Sequence, residues 1–481
     1  MFLIAGLKNL YLYITMQEDI NSVFKAQQKN KFELRKTSVE IRIKKLKILK
    51  QAIESFEEEI YQALQIDLRK SKFETAVTEL FFTYAEIDYA IKELRGWMKP
   101  KSVSGTKSNF FSDNKIYYEP KGICLIIAPW NYPFQLIMSP LISAIAAGNC
   151  VMLKPSEISA ATGSLVNKIV SKVFDTNEIA CFNGGADVSK TLLELPFDHI
   201  FFTGSTAVGK SVMAAAAKNL ASVTLELGGK SPTIIDATAN LKKAAEKIAW
   251  GKLVNVGQTC IAPDYILIDE KIESQFIAYY KEAVLKMFFN SNKEINKQSY
   301  GKIINQKQFN RLTNLIKDSI AGGSDLVWGG ESDEKELTIL PTILRNVTSE
   351  NVIMQQEIFG PVLPVITFKK LENAVDFINE RDKPLALYVF SENNGNKEYI
   401  LKATSSGGTC INDVLIHIGN PNLPFGGVNN SGVGSCHGYF GFKTFSHERA
   451  VVFQSKMELM KMIYPPYDKK NKLLKWLKKI M

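Results

Sequence analysis

Apolar residues follow two rhythms along this chain. Short unbroken runs, such as residues 123–128 and 151–153, alternate with longer stretches in which apolar positions recur at helical spacing. That alternation predicts a parallel sheet covered by helices on both faces, an α/β architecture. Charged amphipathic helices dominate residues 21–100, and residues 38–64 read as one of them. Residues 121–227 contain at least four strand-turn-helix units, and Glu226-Leu227-Gly228-Gly229-Lys230 marks the crossing into a second α/β unit. A helix over residues 241–254 leads there to Cys260, and the unit runs on to the region of Pro424.

Residues 101–118 break the pattern and end in the strand-like Lys115-Ile116-Tyr117-Tyr118. The organisation expected is therefore one unit from 16–100 with 119–227, a second from 228–428, and a strand-rich element from 101–118 with 429–460. Residues 1–15, apolar apart from Lys8 and a few polar positions, lack a basic region and a small-residue cleavage site, so they are not read as a signal peptide. They are expected as an unstructured or loosely helical leader, an extension ahead of Met16. Residues 461–481 close the chain with Leu473, Leu474, Leu477, Ile480 and Met481 on one helical face and Lys472, Lys475, Lys478 and Lys479 on the other. This basic amphipathic helix is too short to span a bilayer, which takes roughly 20 apolar residues. Two uses stay open for it: packing on the protein's own body, or peripheral contact with an anionic membrane.

At 481 residues and 46% hydrophobic content the chain can fill two or three cores. Charge changes the picture less than its total suggests. Of the net +10, residues 456–481 supply six, with eight lysines against Glu458 and Asp468. The body is close to neutral and has no zinc-finger or aromatic-studded basic pattern, which argues against nucleic acid as a partner. Six scattered cysteines without a C-x-x-C pair point to a reduced, cytoplasmic protein. Four histidines at non-ligating spacing call for no metal.

The candidate chemistry begins at Gly257-Gln258-Thr259-Cys260, where a thiol follows small and polar residues. Alone, a cysteine is more often a small buried hydrophobe. Here Glu226 offers a carboxylate base, and Asn131, held between Pro129 and Pro133 after an apolar run, offers a rigid amide donor. Lys154-Pro155-Ser156-Glu157 follows a second run, and Gly204-Ser205-Thr206-Ala207-Val208-Gly209 follows a third. A glycine at a strand-to-helix turn, with Ser205 and Thr206 next, presents helix N-terminal amides to a phosphate. Gln356-Glu357-Ile358-Phe359-Gly360-Pro361 and Pro424-Phe425-Gly426-Gly427 complete the set.

With these segments in this order over about residues 25–455, the chain resembles the aldehyde dehydrogenase superfamily. Cys260-Ile261-Ala262-Pro263-Asp264-Tyr265 and residues 441–447 look most like its class 3 branch of fatty and aromatic aldehyde enzymes. The resemblance implies a Rossmann-type NAD(P)-binding domain from the first unit, a catalytic domain from the second, and subunit pairing through the strand-rich element. It implies that the Gly204-Ser205 to Gly209 turn receives the pyrophosphate with Trp130 nearby. Lys154 and Glu157 would bind the adenosine ribose, and Glu357 and Phe359 the nicotinamide ribose and ring. A carboxylate at 157 favours NAD, while class 3 relatives also accept NADP.

In the mechanism so implied, Cys260, activated by a positive local field or by nearby oxidised nicotinamide, attacks an aldehyde. The Asn131 amide and the Cys260 backbone N–H bind the oxyanion, and Glu226 deprotonates the water that opens the thioester. The apolar Ile261 and Ala262, without a flanking arginine, favour an uncharged medium- or long-chain or aromatic substrate. The alternatives are a charged semialdehyde, an acylating dehydrogenase or thioesterase, and an inactive binding protein on the same scaffold. Class 3 resemblance implies a homodimer. Fatty aldehyde members of that branch often carry a longer hydrophobic C-terminal anchor, from which this tail departs.

Overall fold

The computed structural model of the chain describes residues 2–106, 112–456 and 459–480. Two parallel sheets form its frame. The first has the spatial order Gly432–Val433, Ser222–Leu227, His199–Gly204, Ile123–Ile127, Cys150–Lys154, Ile179–Cys181, and every pairing is parallel except that of Gly432–Val433. The strand Ile123–Ile127 is buried at all five positions, as its unbroken apolar run requires of a sheet covered on both faces. From it the chain moves outward through Cys150–Lys154 and Ile179–Cys181, then returns to its other side at His199–Gly204. The order therefore reverses between Ile123–Ile127 and His199–Gly204, and ligand crevices open at such a reversal, beyond the carboxyl ends of the strands. Asn131, Gly204 and Glu226 all lie at those ends.

The second sheet runs Asp325–Trp328, Thr342–Arg345, Val362–Phe368, Tyr265–Asp269, Pro232–Ile235, Ala386–Phe390, Gly408–Ile411, antiparallel only at its first pair. A third, antiparallel sheet joins Lys101–Val103, Asp113–Pro120 and Ser446–Phe453. One large core cluster continues from the first sheet into the second, so the two α/β units share a packed boundary.

Three expectations are corrected. The helix expected over 38–64 is two helices, Val39–Ser55 and Glu57–Leu68, parted at Phe56. Phe56 is buried, and the ammonium groups of Lys168 and Lys172 lie 4.8 and 4.7 Å from its ring, so tertiary packing overrides a continuous local pattern. Residues 2–15 are not a separate unstructured leader: of the two forms expected they take the helical one, as the first turns of the helix Phe2–Arg35. No proline separates them from the residues that follow, and adding a turn to an existing helix avoids the cost of nucleation. Finally, the strand-rich element is smaller than 429–460 at its second end. Gly432–Val433 joins the first sheet beside Glu226, and the helix Gly438–Thr444 packs against Gln135–Ala147, leaving Ser446–Phe453 in the third sheet. The tail is helical over Asn471–Ile480, in keeping with its pattern, while Met481 lies outside the described residues.

Candidate active site

Cys260 owes its placement to an unusual piece of backbone. The helix Leu241–Leu253 opens with the Asn240 side chain accepting from the Lys243 N–H at 3.2 Å. After it, Asn255, Val256 and Gly257 take left-handed φ values of 51°, 56° and 76°. For the two non-glycine residues this costs about 1–3 kcal/mol each, and the β-branched valine is the worse of the two. Long-range contacts hold the strain. The Asn255 N–H donates to Glu74 Oε1 at 2.8 Å, and its amide Nδ2 donates to the Asn131 carbonyl at 2.8 Å and the Gln258 carbonyl at 3.1 Å. Gln258 in turn donates to the carbonyls of Asn255 and Lys302 and accepts from the Ile304 N–H, each at 3.0 Å. At Gly257 a Cβ would lie 2.4 Å from the Gly360 carbonyl oxygen, so no side chain fits there.

The loop opens Cys260 into a cavity of about 1100 Å³ that Glu226 also lines. Burial pushes the Cys260 thiol up to about 12, and Glu357 and Glu226 add to the effect. Of the two activators expected, the positive local field is not seen among the groups that shift the thiol: Glu357 and Glu226 both raise it. Glu226, one residue before the end of the strand Ser222–Leu227, is buried; the Cys436 thiol lies beside its carboxyl but not in hydrogen-bond geometry, so neither oxygen has a well-formed partner. Burial pushes it up to about 8, offset by the neighbouring Cys436 thiol. A buried carboxyl with open lone pairs and a near-neutral pKa suits a general base. Asn131 is buried at the end of Ile123–Ile127, and its Nδ2 donates to the Gln258 carbonyl at 3.0 Å. The donor expected to face an oxyanion is therefore tied by one hydrogen to the nucleophile's own loop, leaving its second hydrogen for a ligand.

Most residues expected at the cofactor lie at the first sheet, while Glu357 and Phe359 precede the strand Val362–Phe368 of the second. Lys154 is buried and donates to the Pro155 carbonyl at 2.8 Å and to Glu157 Oε2 at 3.1 Å, with the Glu157 side chain 48% exposed. Ser205 caps the helix Thr206–Ala217 through its backbone alone, so its side chain satisfies none of the first-turn amides. A Cβ at Gly209 would lie 2.6 Å from a Leu227 methyl, which ties the glycine to close helix-on-strand packing. Trp130 meets Phe359 edge-on at 5.3 Å between ring centres.

Glu357 sits so close to the start of the second unit that a Cβ on Gly228 would lie 2.1 Å from its Oε2. Burial, then Asp264, pushes its carboxyl up to about 8, and Oε1 is buried without a partner. An orphaned acceptor, uncapped helix amides and an exposed carboxylate beside Lys154 fit a dinucleotide's ribose hydroxyls and phosphates.

Sequence reading did not single out Lys70, Glu74, Glu79 or Asn255, which support this site. The first three sit in a charged helical stretch whose periodicity marks only an amphipathic helix. Nothing local distinguishes a charge aimed inward.

Residues 12–451 match the Aldehyde dehydrogenase family. Similar curated proteins include the 4,4'-diaponeurosporen-aldehyde dehydrogenase of Staphylococcus aureus, 45% identical over 95% of this chain and 97% of its own length. Aldehyde dehydrogenase family 3 member B1 of Rattus norvegicus is 44% identical over 91% of this chain and 92% of its own. The dimeric NADP-preferring aldehyde dehydrogenase of the same organism is 44% identical over 89% and 94%. Among solved structures, the substrate-bound state of Staphylococcus aureus AldH superposes with a TM-score of 0.91 at 43% identity, covering 95% of this chain and 99% of that one. The chain belongs to the aldehyde dehydrogenase family, on its class 3 side, and is an enzyme of NAD(P)-dependent aldehyde oxidation to carboxylic acids.

Proposed function

We propose that Cys260 is the nucleophile, Asn131 an oxyanion donor and Glu226 the hydrolytic base. The observation that carries this is the convergence of an unpartnered buried carboxyl and a thiol on one cavity, with the Asn131 amide hydrogen-bonded into the thiol's loop. The Cys260 thiol gives its proton to solvent water and the thiolate adds to the aldehyde carbon; the new oxyanion takes hydrogen bonds from the Asn131 amide and the Cys260 N–H, and as it re-forms the carbonyl the carbon gives up its hydrogen as hydride, leaving the Cys260 thioester. When bound, the oxidised nicotinamide supplies a hydride acceptor and a positive charge. Glu226, as carboxylate, then takes a proton from the water that opens the Cys260 thioester, and the acid leaves. That base favours hydrolysis over release to coenzyme A.

The substrate class we infer is an uncharged medium- or long-chain or aromatic aldehyde. Tyr132, Leu136, Trp250, Ile261, Phe288 and Phe425 line the cavity. Its two lysines, Lys72 and Lys297, are already paired with Glu58 and Glu336, which disfavours a charged semialdehyde. A relative is named for 4,4'-diaponeurosporen-aldehyde. Glu157 supports a preference for NAD, since a carboxylate accepts from a 2′-hydroxyl and repels a 2′-phosphate. A relative named NADP-preferring carries the opposite choice on the same scaffold.

We further propose a homodimer paired through the third sheet, whose edge strand Ser446–Phe453 exposes Val452 and Phe453. A relative named as dimeric is consistent with that state. The enzyme is assigned to the cytoplasm, where its six free cysteines stay reduced. There the exposed Leu474, Lys472, Lys475 and Lys478 of the tail make a peripheral contact with anionic lipid. Among the described residues no helix is long and apolar enough to cross a membrane.

Cofactor reduction over a chain-length series of aldehydes, run on wild type and Cys260→Ser, tests the chemistry and the substrate class together. Catalytic efficiency should climb with chain length, and Cys260→Ser should fall below about 1% of wild type because a hydroxyl is far less ionised than a thiol. Turnover retained in the variant removes Cys260 from its role.

A further inference from the structure

A π-turn over Ala76–Leu80 interrupts the helical run between Lys72 and Trp97. Such bulges re-aim a side chain and are frequent at functional sites. The side chain aimed inward here is Glu79, fully buried and paired at 2.6 Å with the equally buried Lys70. Neither lines the cavity. Both instead grip the segment that carries Asn131. Lys70 Nζ donates to the Asn131 carbonyl at 3.1 Å and lies 3.9 Å from the Tyr132 ring centre. Glu79 Oε2 accepts the N–H groups of Phe134 at 2.9 Å and Gln135 at 3.1 Å. From the same helical stretch, Glu74 accepts the Asn255 N–H and so holds the nucleophile's loop.

A buried ion pair contributes little net stability compared with apolar residues of the same volume, because both ions must be desolvated. Position is what this one supplies. We propose that Lys70 and Glu79 are positioning residues, which hold the Asn131 amide in register with Cys260 so that its free hydrogen meets the oxyanion. The inference rests on the role assigned to Asn131 above. A shift of the donor by about 1 Å is enough to cost about 10²-fold in rate.

The test uses the full-length enzyme with hexanal and NAD, reading the pre-steady-state rate of cofactor reduction, kcat and KM, with thermal unfolding as a check on folding. Glu79→Gln and Lys70→Met should each slow the reduction step by about 10- to 100-fold while KM for hexanal stays within about twofold, because the loss falls in the transition state. If either single variant does not fold, Lys70→Met with Glu79→Gln removes both charges together and carries the same test, since replacing a whole buried pair is tolerated. In an Asn131→Ala background the same substitutions should cost less than about threefold further, as expected of residues acting through one group. A folded double variant with wild-type reduction rate overturns the proposal, and so does an equal loss in both backgrounds. Asn131→Ala with unchanged kcat is a separate failure, of the oxyanion assignment itself.

Discussion

The cofactor half and the thiol half of the site are built in opposite ways. On the cofactor side, the turn at Gly204 and Ser205 joins a strand to the helix that follows it, and Gly209 packs against Leu227 on the neighbouring strand. Its shape follows from consecutive residues in preferred conformations. On the thiol side, the loop before Cys260 runs through three left-handed residues and is held by Glu74, Asn131, Lys302, Ile304 and Gly360, all far away in sequence. A site that binds a phosphate needs amides at a helix end, which a local turn provides. A site that must aim a sulfur at a carbon needs tighter geometry, and here it is set by the rest of the fold.

One methyl group placed on each side gives the sharpest contrast. Gly257→Ala meets a backbone oxygen at 2.4 Å and a φ of 76° that alanine resists, so the loop has to move and carry Cys260 with it. The expected loss in kcat is at least about 10²-fold, the scale of a 1 Å misplacement. Gly209→Ala meets only the flexible end of Leu227, 2.6 Å away, and gains helix propensity of about 1 kcal/mol. Its kcat should hold, with KM for the cofactor rising by less than tenfold, under about 1.4 kcal/mol. Steady-state kinetics of the two variants measure both effects, and equal losses would erase the distinction between the two sides.

The same contrast explains what could be read in the sequence. The parallel sheets and the glycine turn show in unbroken apolar runs and in the residues that follow them, whereas Cys260, Glu226 and Asn131 stand out only through the family that their segments resemble. Phe56 did not announce a helix break, because what breaks the helix is a pocket formed by other parts of the fold. Nor does a lysine at 70 or a glutamate at 79 look different from the exposed charges around it until the fold pairs them in the interior, Glu79 from within the π-turn. The expected positive field at Cys260 failed for a related reason. The sequence marks Glu226 as a base for the later hydrolysis, and only the fold shows that its carboxyl and that of Glu357 raise the thiol's pKa.

The carboxyl beside that thiol gives an intermediate effect. With its pKa pushed up to about 8 by burial, Glu226 is mostly protonated at pH 7 and gains base strength as pH rises. Thioester hydrolysis should therefore speed up through about pH 8, where the ionised fraction grows. Glu226→Gln should lose that rising limb and show a burst of reduced cofactor followed by a slow steady state. Stopped-flow absorbance over a pH series reads both, and a steady-state rate that keeps its wild-type pH profile would remove Glu226 as the base. The thiol-side contrast would then rest on Asn131 alone.

Smallest for catalysis is the tail, which belongs to neither half of the site and lines no part of the cavity. Its helix Asn471–Ile480 presents Lys472, Lys475 and Lys478 to solvent beside a half-exposed Leu474. Each lysine near an anionic surface contributes roughly 1 kcal/mol, which a few apolar side chains at the headgroup boundary reinforce. Truncation after Tyr467 should abolish co-sedimentation with anionic vesicles and leave kcat for short, water-soluble aldehydes unchanged. Raising salt should release the full-length enzyme as well, because screening shortens the reach of each charge. Neutral vesicles serve as the control, since without surface charge the apolar stripe alone is too short to hold. Equal, negligible binding by both proteins would make the tail a packing element. A fall in short-aldehyde turnover on truncation would tie it to the cavity after all.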